Sequence, residues 1–353
     1  CDPDTASTGS GGTPVIASVS GSVVDGQKIS ISGSNFGPAG PNVFLFDDFK
    51  RGTDGELVTL NATVGNWHSV QDYHAPYYGV DSEGNVAGYL IRDNSVGRIY
   101  AQFDDVQEIY ISYRVMIPEG KHFPNSGAPK TFPAGSQWKL TWLMDGERGA
   151  AGNDDLVIPT WGNGTYFYIA GNDNAFQLPV GRPGSSDNWF SFEGWNRFSV
   201  YMKGGGIPDV DPGTTWSQGM SEEFGQHVFT STKKLFDGDD TPDGYKFEDD
   251  SISRWNRLNV PGWHRGGDDN AGAMYDDMYI ATGPHARARI EIGNNAVYAK
   301  STKLAITTPS SWQDGSITTT IRRGVFRDGE TVYVFVINEQ GEVSNGFPVT
   351  IGA

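Results

Sequence analysis

Residues 108–116 read Glu-Ile-Tyr-Ile-Ser-Tyr-Arg-Val-Met, with aliphatic or aromatic side chains at every second place. Successive side chains of a strand point to opposite faces, so Ile109, Ile111, Tyr113 and Val115 share one face and Tyr110, Ser112 and Arg114 the other. The Ile/Val face is the one expected in a core, because a slip of one residue would turn the whole set to solvent. Segments 138–144, 165–169, 196–203 and 277–280 have the same short β-branched and aromatic texture between Gly, Asn and Asp turns. Both ends of the chain also predict strands. Residues 14–36 alternate around Ile29 and Ile31, and more loosely around Ile16 and Val19, with a turn at Asp25-Gly26. Five further runs follow at 289–293, 304–309, 316–321, 331–336 and 347–351. No apolar stripe at helical spacing runs long enough for a core helix.

The Ser-Gly turn after the first of these strands, and Gly33-Ser34-Asn35-Phe36-Gly37 after the second, resemble the opening of an IPT/TIG immunoglobulin-like domain. The five C-terminal runs resemble the later strands of the same family. Neither end completes a sandwich alone. The simplest arrangement is one split domain, residues 14–42 with 286–353, into which residues 43–285 are inserted. An independent N-terminal hairpin beside a small C-terminal sandwich is the alternative. In the insert the order runs from Asp47-Asp48-Phe49, through Tyr113-Arg114-Val115 and Trp195-Asn196-Arg197, to Tyr201-Met202-Lys203 and Asp276-Asp277-Met278-Tyr279-Ile280-Ala281. That order resembles the concanavalin A-like lectin/glucanase jelly roll, which includes polysaccharide lyases, glycosidases and sugar-binding modules. The resemblance implies an all-β fold, a large antiparallel jelly-roll sandwich with a smaller immunoglobulin-like β-sandwich.

Composition narrows the partners. The 353 residues carry a formal charge of −17, which repels nucleic acid and anionic membrane surfaces and suits divalent cations. A chain of this length exceeds the ~250 to 300 residues at which single cores tend to divide. The one cysteine, Cys1, excludes an intrachain disulfide. Cys1-Asp2-Pro3-Asp4, followed by a Ser/Gly-rich tether to residue 13, resembles a bacterial lipoprotein after removal of its signal peptide. That resemblance implies lipid attachment at Cys1 and an extracytoplasmic location, at the cell surface or secreted; a chain end that merely falls on cysteine is the plain alternative. No run of ~18 apolar residues is present, so lipid is the only membrane contact expected.

The chain holds 10 Trp and 15 Tyr, several beside polar turns: Trp67, Trp161, Trp189, Trp195, Trp255 and Trp263. Flat aromatic faces bind the C–H surfaces of sugar rings. Trp161, Trp189 and the Trp263-His264-Arg265 turn are the expected carbohydrate contacts. Trp138 and Trp142 are expected to share a packing face, and Trp195 and Trp255 each to start a strand with the following Asn outward. A lyase needs a base near neutrality and a cation or amide that neutralises a uronate carboxylate. His74, His122, Arg114 and Lys139 are in stock for this, but Tyr201, Lys203, His264 and Arg265 are the preferred catalytic candidates. Tyr201-Met202-Lys203-Gly204 is similar to the Tyr-Phe-Lys-Ala-Gly strand of jelly-roll alginate lyases. That family's Arg-rich strand and Gln-(Ile/Val)-His are absent, as is the Glu-x-Asp-x-x-Glu of laminarinase-type glycosidases. Asp239, Thr241, Asp243 and Asp250, with Gly244, approach the spacing of a calcium loop, so calcium is the expected cofactor; a solvated acidic turn is the other reading. Asp268-Asp269-Asn270 and Asp276-Asp277 are weaker metal candidates. The expected function is polysaccharide binding at a surface, with lyase activity left open. The alternative is a structural or adhesive subunit of an extracellular filament, whose partners would be other subunits meeting at sheet edges.

Overall fold

The computed structural model describes residues 12–70, 74–134, 138–144, 156–162, 166–171, 177–204, 213–231, 255–264 and 268–353. Cys1, Arg265 and the proposed calcium ligands Asp239, Thr241, Asp243 and Asp250 lie outside the described residues. The protein is almost entirely antiparallel β-structure, and the chain divides into two compact units, residues 1–42 with 285–353 and residues 43–284.

In the smaller unit the two ends of the chain share a sheet. β1 (Val15–Ser20) pairs with β2 (Lys28–Ser34), β2 with β24 (Ser316–Thr320), and β24 with β23 (Thr308–Gln313). The second sheet runs β22 (Leu304–Ile306), β21 (Arg289–Gly293), β25 (Thr331–Ile337), β26 (Phe347–Thr350). Ile31 stands opposite Ile317 across the N- to C-terminal pairing, and both are fully buried. They join Ile29, Ile290, Ile292, Val332, Val334 and Val336 in one aliphatic core. Gly33 is required here: a Cβ would stand 1.9 Å from the Val15 carbonyl oxygen and 2.6 Å from the Phe36 ring. The segment 304–309 that reads as one strand is two, β22 and β23, which lie in different sheets and so carry the chain from one layer to the other.

The larger unit is a sandwich of jelly-roll type, two nine-stranded sheets among the described residues. One runs β17 (Gly225–Ser231), β16 (Thr214–Ser221), β15 (Asn196–Lys203), β9 (Glu108–Met116), β20 (Gly272–Thr282), β6 (Val86–Arg92), β5 (Tyr77–Val80), with β3 (Asn42–Asp47) on β20 and β7 (Ser95–Val96) on β6. The other runs β14 (Gln177–Pro179), β13 (Tyr166–Gly171), β12 (Leu156–Gly162), β11 (Trp142–Met144), β18 (Trp255–Val260), β8 (Ile99–Val106), β4 (Ser69–Val70). β10 (Trp138–Lys139) pairs with β12 and with β19 (Trp263–His264).

Ile109, Ile111, Tyr113 and Val115 point into this sandwich, as their alternation requires, against Leu143, Ile158 and Leu258 of the facing sheet. Two tyrosines cross the core and end on carbonyls of the opposite layer: Tyr113 Oη donates to Ile158 O at 2.9 Å and Tyr275 Oη to Leu140 O at 3.0 Å. Burial holds both phenols well above their ordinary pKa, so they remain donors. Phe123 is the hub of an aromatic cluster with Phe132, Trp138, Trp161, Phe167, Phe190 and Phe192.

That cluster corrects part of the sequence reading. Trp161 and Trp189 belong to the core, not to a sugar surface; their indole N–H groups are spent on Pro133 O and Val180 O. Trp67 and Trp255 are core residues as well. Trp138 and Trp142 do not share a face. The chain leaves the ladder at Leu140 and Thr141, so the period of two is not carried across, and Trp142 packs with Met144, Tyr168 and Ala170 on the outward side. At the start of β15 the expectation is inverted. Asn196 is the buried residue, tying Ser191 N and O and Val115 O together, while Trp195 sits half-buried on the outer face.

Candidate functional site

The outward face of β9, β15, β16 and β20 collects the chemistry. Register places Tyr110 opposite Tyr201, and Tyr201 opposite Trp216. The adjoining row is Tyr279, Ser112, Ser199, Gln218, and the next is Asp276, Arg114, Arg197, Met220. In an ordinary sandwich the second face of a strand is solvated. Here Tyr110, Ser112, Ser199, Gln218 and Tyr279 are each no more than 1% exposed.

The middle of this face is a polar ladder. Arg197 Nε donates to Ser112 Oγ at 3.0 Å, and the Ser112 and Ser199 hydroxyls share a hydrogen bond of 2.9 Å. Gln218 Nε2 donates to Gln226 Oε1 at 2.8 Å, while Gln218 Oε1 has no partner among the described residues. The Tyr110 ring stacks toward Trp216 at 6.3 Å and meets Tyr279 edge-on at 6.0 Å. At one end the two carboxylate oxygens of Glu108 are divided between neighbours: Tyr201 Oη donates to Oε2 at 2.9 Å and Lys203 Nζ stands 3.2 Å from Oε1.

At the other end Arg114 is held on three sides. A β-bulge between Asp276 and Tyr279 sets two consecutive aspartates against one residue of β9, with Asp277 at φ 48°. Arg114 is ion-paired to Asp276 through Nη2 and to Asp277 through Nε at 2.7 Å, and its guanidinium lies 4.8 Å over the Trp195 ring. Trp195 Nε1 is in turn fixed by Asp81 Oδ2 at 3.0 Å. Burial works against the Arg114 charge, but Asp277 and Asp276 outweigh it and raise the pKa above its ordinary value. Burial drives the Asp276 carboxyl well above the usual range, against the pull of Arg114 and with the help of Asp277. Asp81 is the reverse case: burial is outweighed by hydrogen bonds from Trp195 and from the backbone of Asn85 and Glu83, which lower its pKa. Asp276 and Asp277 are thus both paired with Arg114.

The other weak metal candidate is likewise structural. Asp268 accepts from Gly127 N and Asn270 N and pairs with His122 Nδ1 at 3.0 Å, closing a loop. Its pKa is lowered by these contacts, which outweigh its desolvation. Among the described residues no three His, Cys, Asp or Glu side chains are placed to hold a metal ion.

No family model matches the chain, and no curated protein matches it. Among solved structures it is similar to the alginate lyase Aly36B, at 13% identity and TM-score 0.43 over 69% of this chain and 97% of that one. The alginate lyase vAL-1 from Chlorella virus is 15% identical, with TM-score 0.39 over 65% of this chain and 100% of its own. The cellulose-induced protein Cip1 is 12% identical, with TM-score 0.38 over 68% and 97%. At these scores the assignment rests on the residues of this chain.

The predicted site residues fall in two places. Tyr201 and Lys203 are together on the outward face just described, joined through Glu108. Trp263 is on the outward face of the opposite sheet, where Lys139 Nζ lies 5.7 Å from its ring and 4.4 Å from that of Trp142. His264 contributes its backbone to the pairing with Trp138. Sequence reasoning missed Glu108, Arg197, Trp216 and Gln218. A signal was available, since Arg197, Ser199, Tyr201 and Lys203 share the parity that leaves Phe198, Val200 and Met202 for the core.

Proposed function

We propose that the larger sandwich binds a polysaccharide on the outward face of β9, β15, β16 and β20. One observation carries this reading: a sheet face directed away from the core presents aromatic rings beside a buried amide, Gln218, whose oxygen lacks a partner among the described residues. The partly exposed Trp216 ring offers apolar surface to a sugar's C–H face, and the polar side chains around it suit sugar hydroxyls. The claim is for binding. Tyr201 already commits its proton to Glu108, and Lys203 is paired to the same carboxylate, so neither stands as the independent base or carboxylate neutraliser that elimination needs. An extracytoplasmic setting belongs to the same proposal, because that is where a polysaccharide would be met.

Affinity electrophoresis against a panel of polysaccharides tests the reading. Retardation by at least one polymer is expected, weakened about tenfold or more by Trp216→Ala and by Gln218→Ala, the equivalent of ~1.4 kcal/mol each. Failure of every polymer to retard the protein, or equal binding by both folded variants, would sink it. Unsaturated sugar ends appearing in the same mixtures would overturn the restriction to binding.

A further inference from the structure

We infer that this face selects an uncharged, hydroxyl-rich polysaccharide and discriminates against polyuronates; the inference rests on the polysaccharide reading above. Charge balance carries it. Arg114 is matched by Asp276 and Asp277, and Lys203 by Glu108. With Arg197 and with Asp81 behind Trp195, three cations stand against four carboxylates, and the described face has no surplus of positive charge.

The field of the whole unit has the same sign. Residues 43–284 contain 34 acidic and 18 basic side chains, so 16 of the 17 net negative charges belong to the unit that bears the face. A polyanion approaching it is repelled at long range, and at contact it meets cations that are outnumbered by the carboxylates around them. A neutral pyranose meets neither obstacle. The member of these rows that stays partly exposed for it is the Trp216 ring, stacked toward the buried Tyr110 beside the buried Ser112, Ser199 and Gln218.

The test compares a neutral glucan, mannan, galactan and xylan with polymannuronate and polygalacturonate, by titration calorimetry on the whole protein at low and high salt. The expected result is that a neutral polymer binds with an affinity that salt leaves unchanged, while the polyuronates bind about tenfold or more weakly and gain as salt screens repulsion. A polyuronate that binds more tightly than every neutral polymer, and is weakened by salt, would overturn the inference and leave the polysaccharide reading standing. Binding of none of them would remove both. Glu108→Gln releases Lys203 from its counter-charge and is expected to raise polyuronate affinity roughly three- to tenfold at low salt, a gain that high salt removes. Unchanged polyuronate binding by this variant would refute the charge balance as the cause.

Discussion

The two units are both antiparallel sandwiches, yet they use their strands differently. In the smaller one β2 alternates exposed and buried along Lys28–Ser34, with Ile29 and Ile31 inward and Ser30 and Ser32 in water. In the larger one every residue of β20 is buried, and all of β9 beyond Glu108. The smaller core is mainly aliphatic and its unit is nearly neutral, with nine acidic and eight basic residues; the larger core is richer in aromatic rings and its unit carries a charge of −16. A strand with one face in water needs only an apolar inner row. A strand buried on both faces must satisfy a second, polar row internally.

The largest expected effect of breaking this contrast is at Arg114. Arg114→Met leaves Asp276 and Asp277 buried without their counter-charge and should cost about 3–5 kcal/mol in denaturant unfolding, partly restored by adding Asp276→Asn and Asp277→Asn. Recovery would show that the polar row is held by internal pairing; a loss below 1 kcal/mol would show that this pair is not what holds it.

The next effect depends on pH. Asp47 is buried under Trp67 Nε1 and Phe49 N, and desolvation raises its pKa to about 7 despite those hydrogen bonds. A carboxyl whose folded pKa lies above its unfolded value near 4 binds its proton more tightly in the native state. Its contribution is therefore full below about pH 4 and is lost as pH rises to about 7, at a ceiling of ~4 kcal/mol. Asp47→Asn should flatten stability between these limits and leave the variant the more stable at pH 8. A wild-type protein whose stability rises across this window, with no difference in the variant, would contradict the assignment.

The smallest effects sharpen the comparison most directly. Ser30→Ala, on the open face of the smaller unit, should change stability by less than about 0.5 kcal/mol. Ser199→Ala, on the buried outer face of the larger, should cost about 1–2 kcal/mol through the lost hydrogen bond to Ser112, which keeps only its contact with Arg197. Equal effects at the two serines would erase the distinction between the faces.

How far the molecule was legible follows from the same contrast. In β2 and β9 the inner row could be read residue by residue, because only one register keeps Ile29 and Ile31, or Ile109 and Ile111, out of water. The tryptophans could not be sorted. Trp189 and Trp195 both stand beside polar turns, yet one is core and the other lies under Arg114, and which applies depends on partners from other strands: Phe167 and Phe198 for Trp189, Arg114 and Asp81 for Trp195. Tyr201 and Lys203 were found from local similarity, whereas Glu108, which binds both, is 93 residues from Tyr201 and left no local mark.

The order of apolar and polar positions by itself determined that the chain is all-β, which face of its clearest strands turns inward, and where along it the character of the strands changes. Those properties follow from a period of two and from the free energy of removing hydrocarbon from water, both of which act within a few residues. Only the tertiary structure decided that the outward rows of β9, β15, β16 and β20 lie side by side, that Arg114 and Lys203 are each matched by a carboxylate from another strand, and that the buried Gln218 oxygen has no partner among the described residues. Strand order and long-range pairing set those juxtapositions, and no local pattern encodes which distant segment a strand will meet.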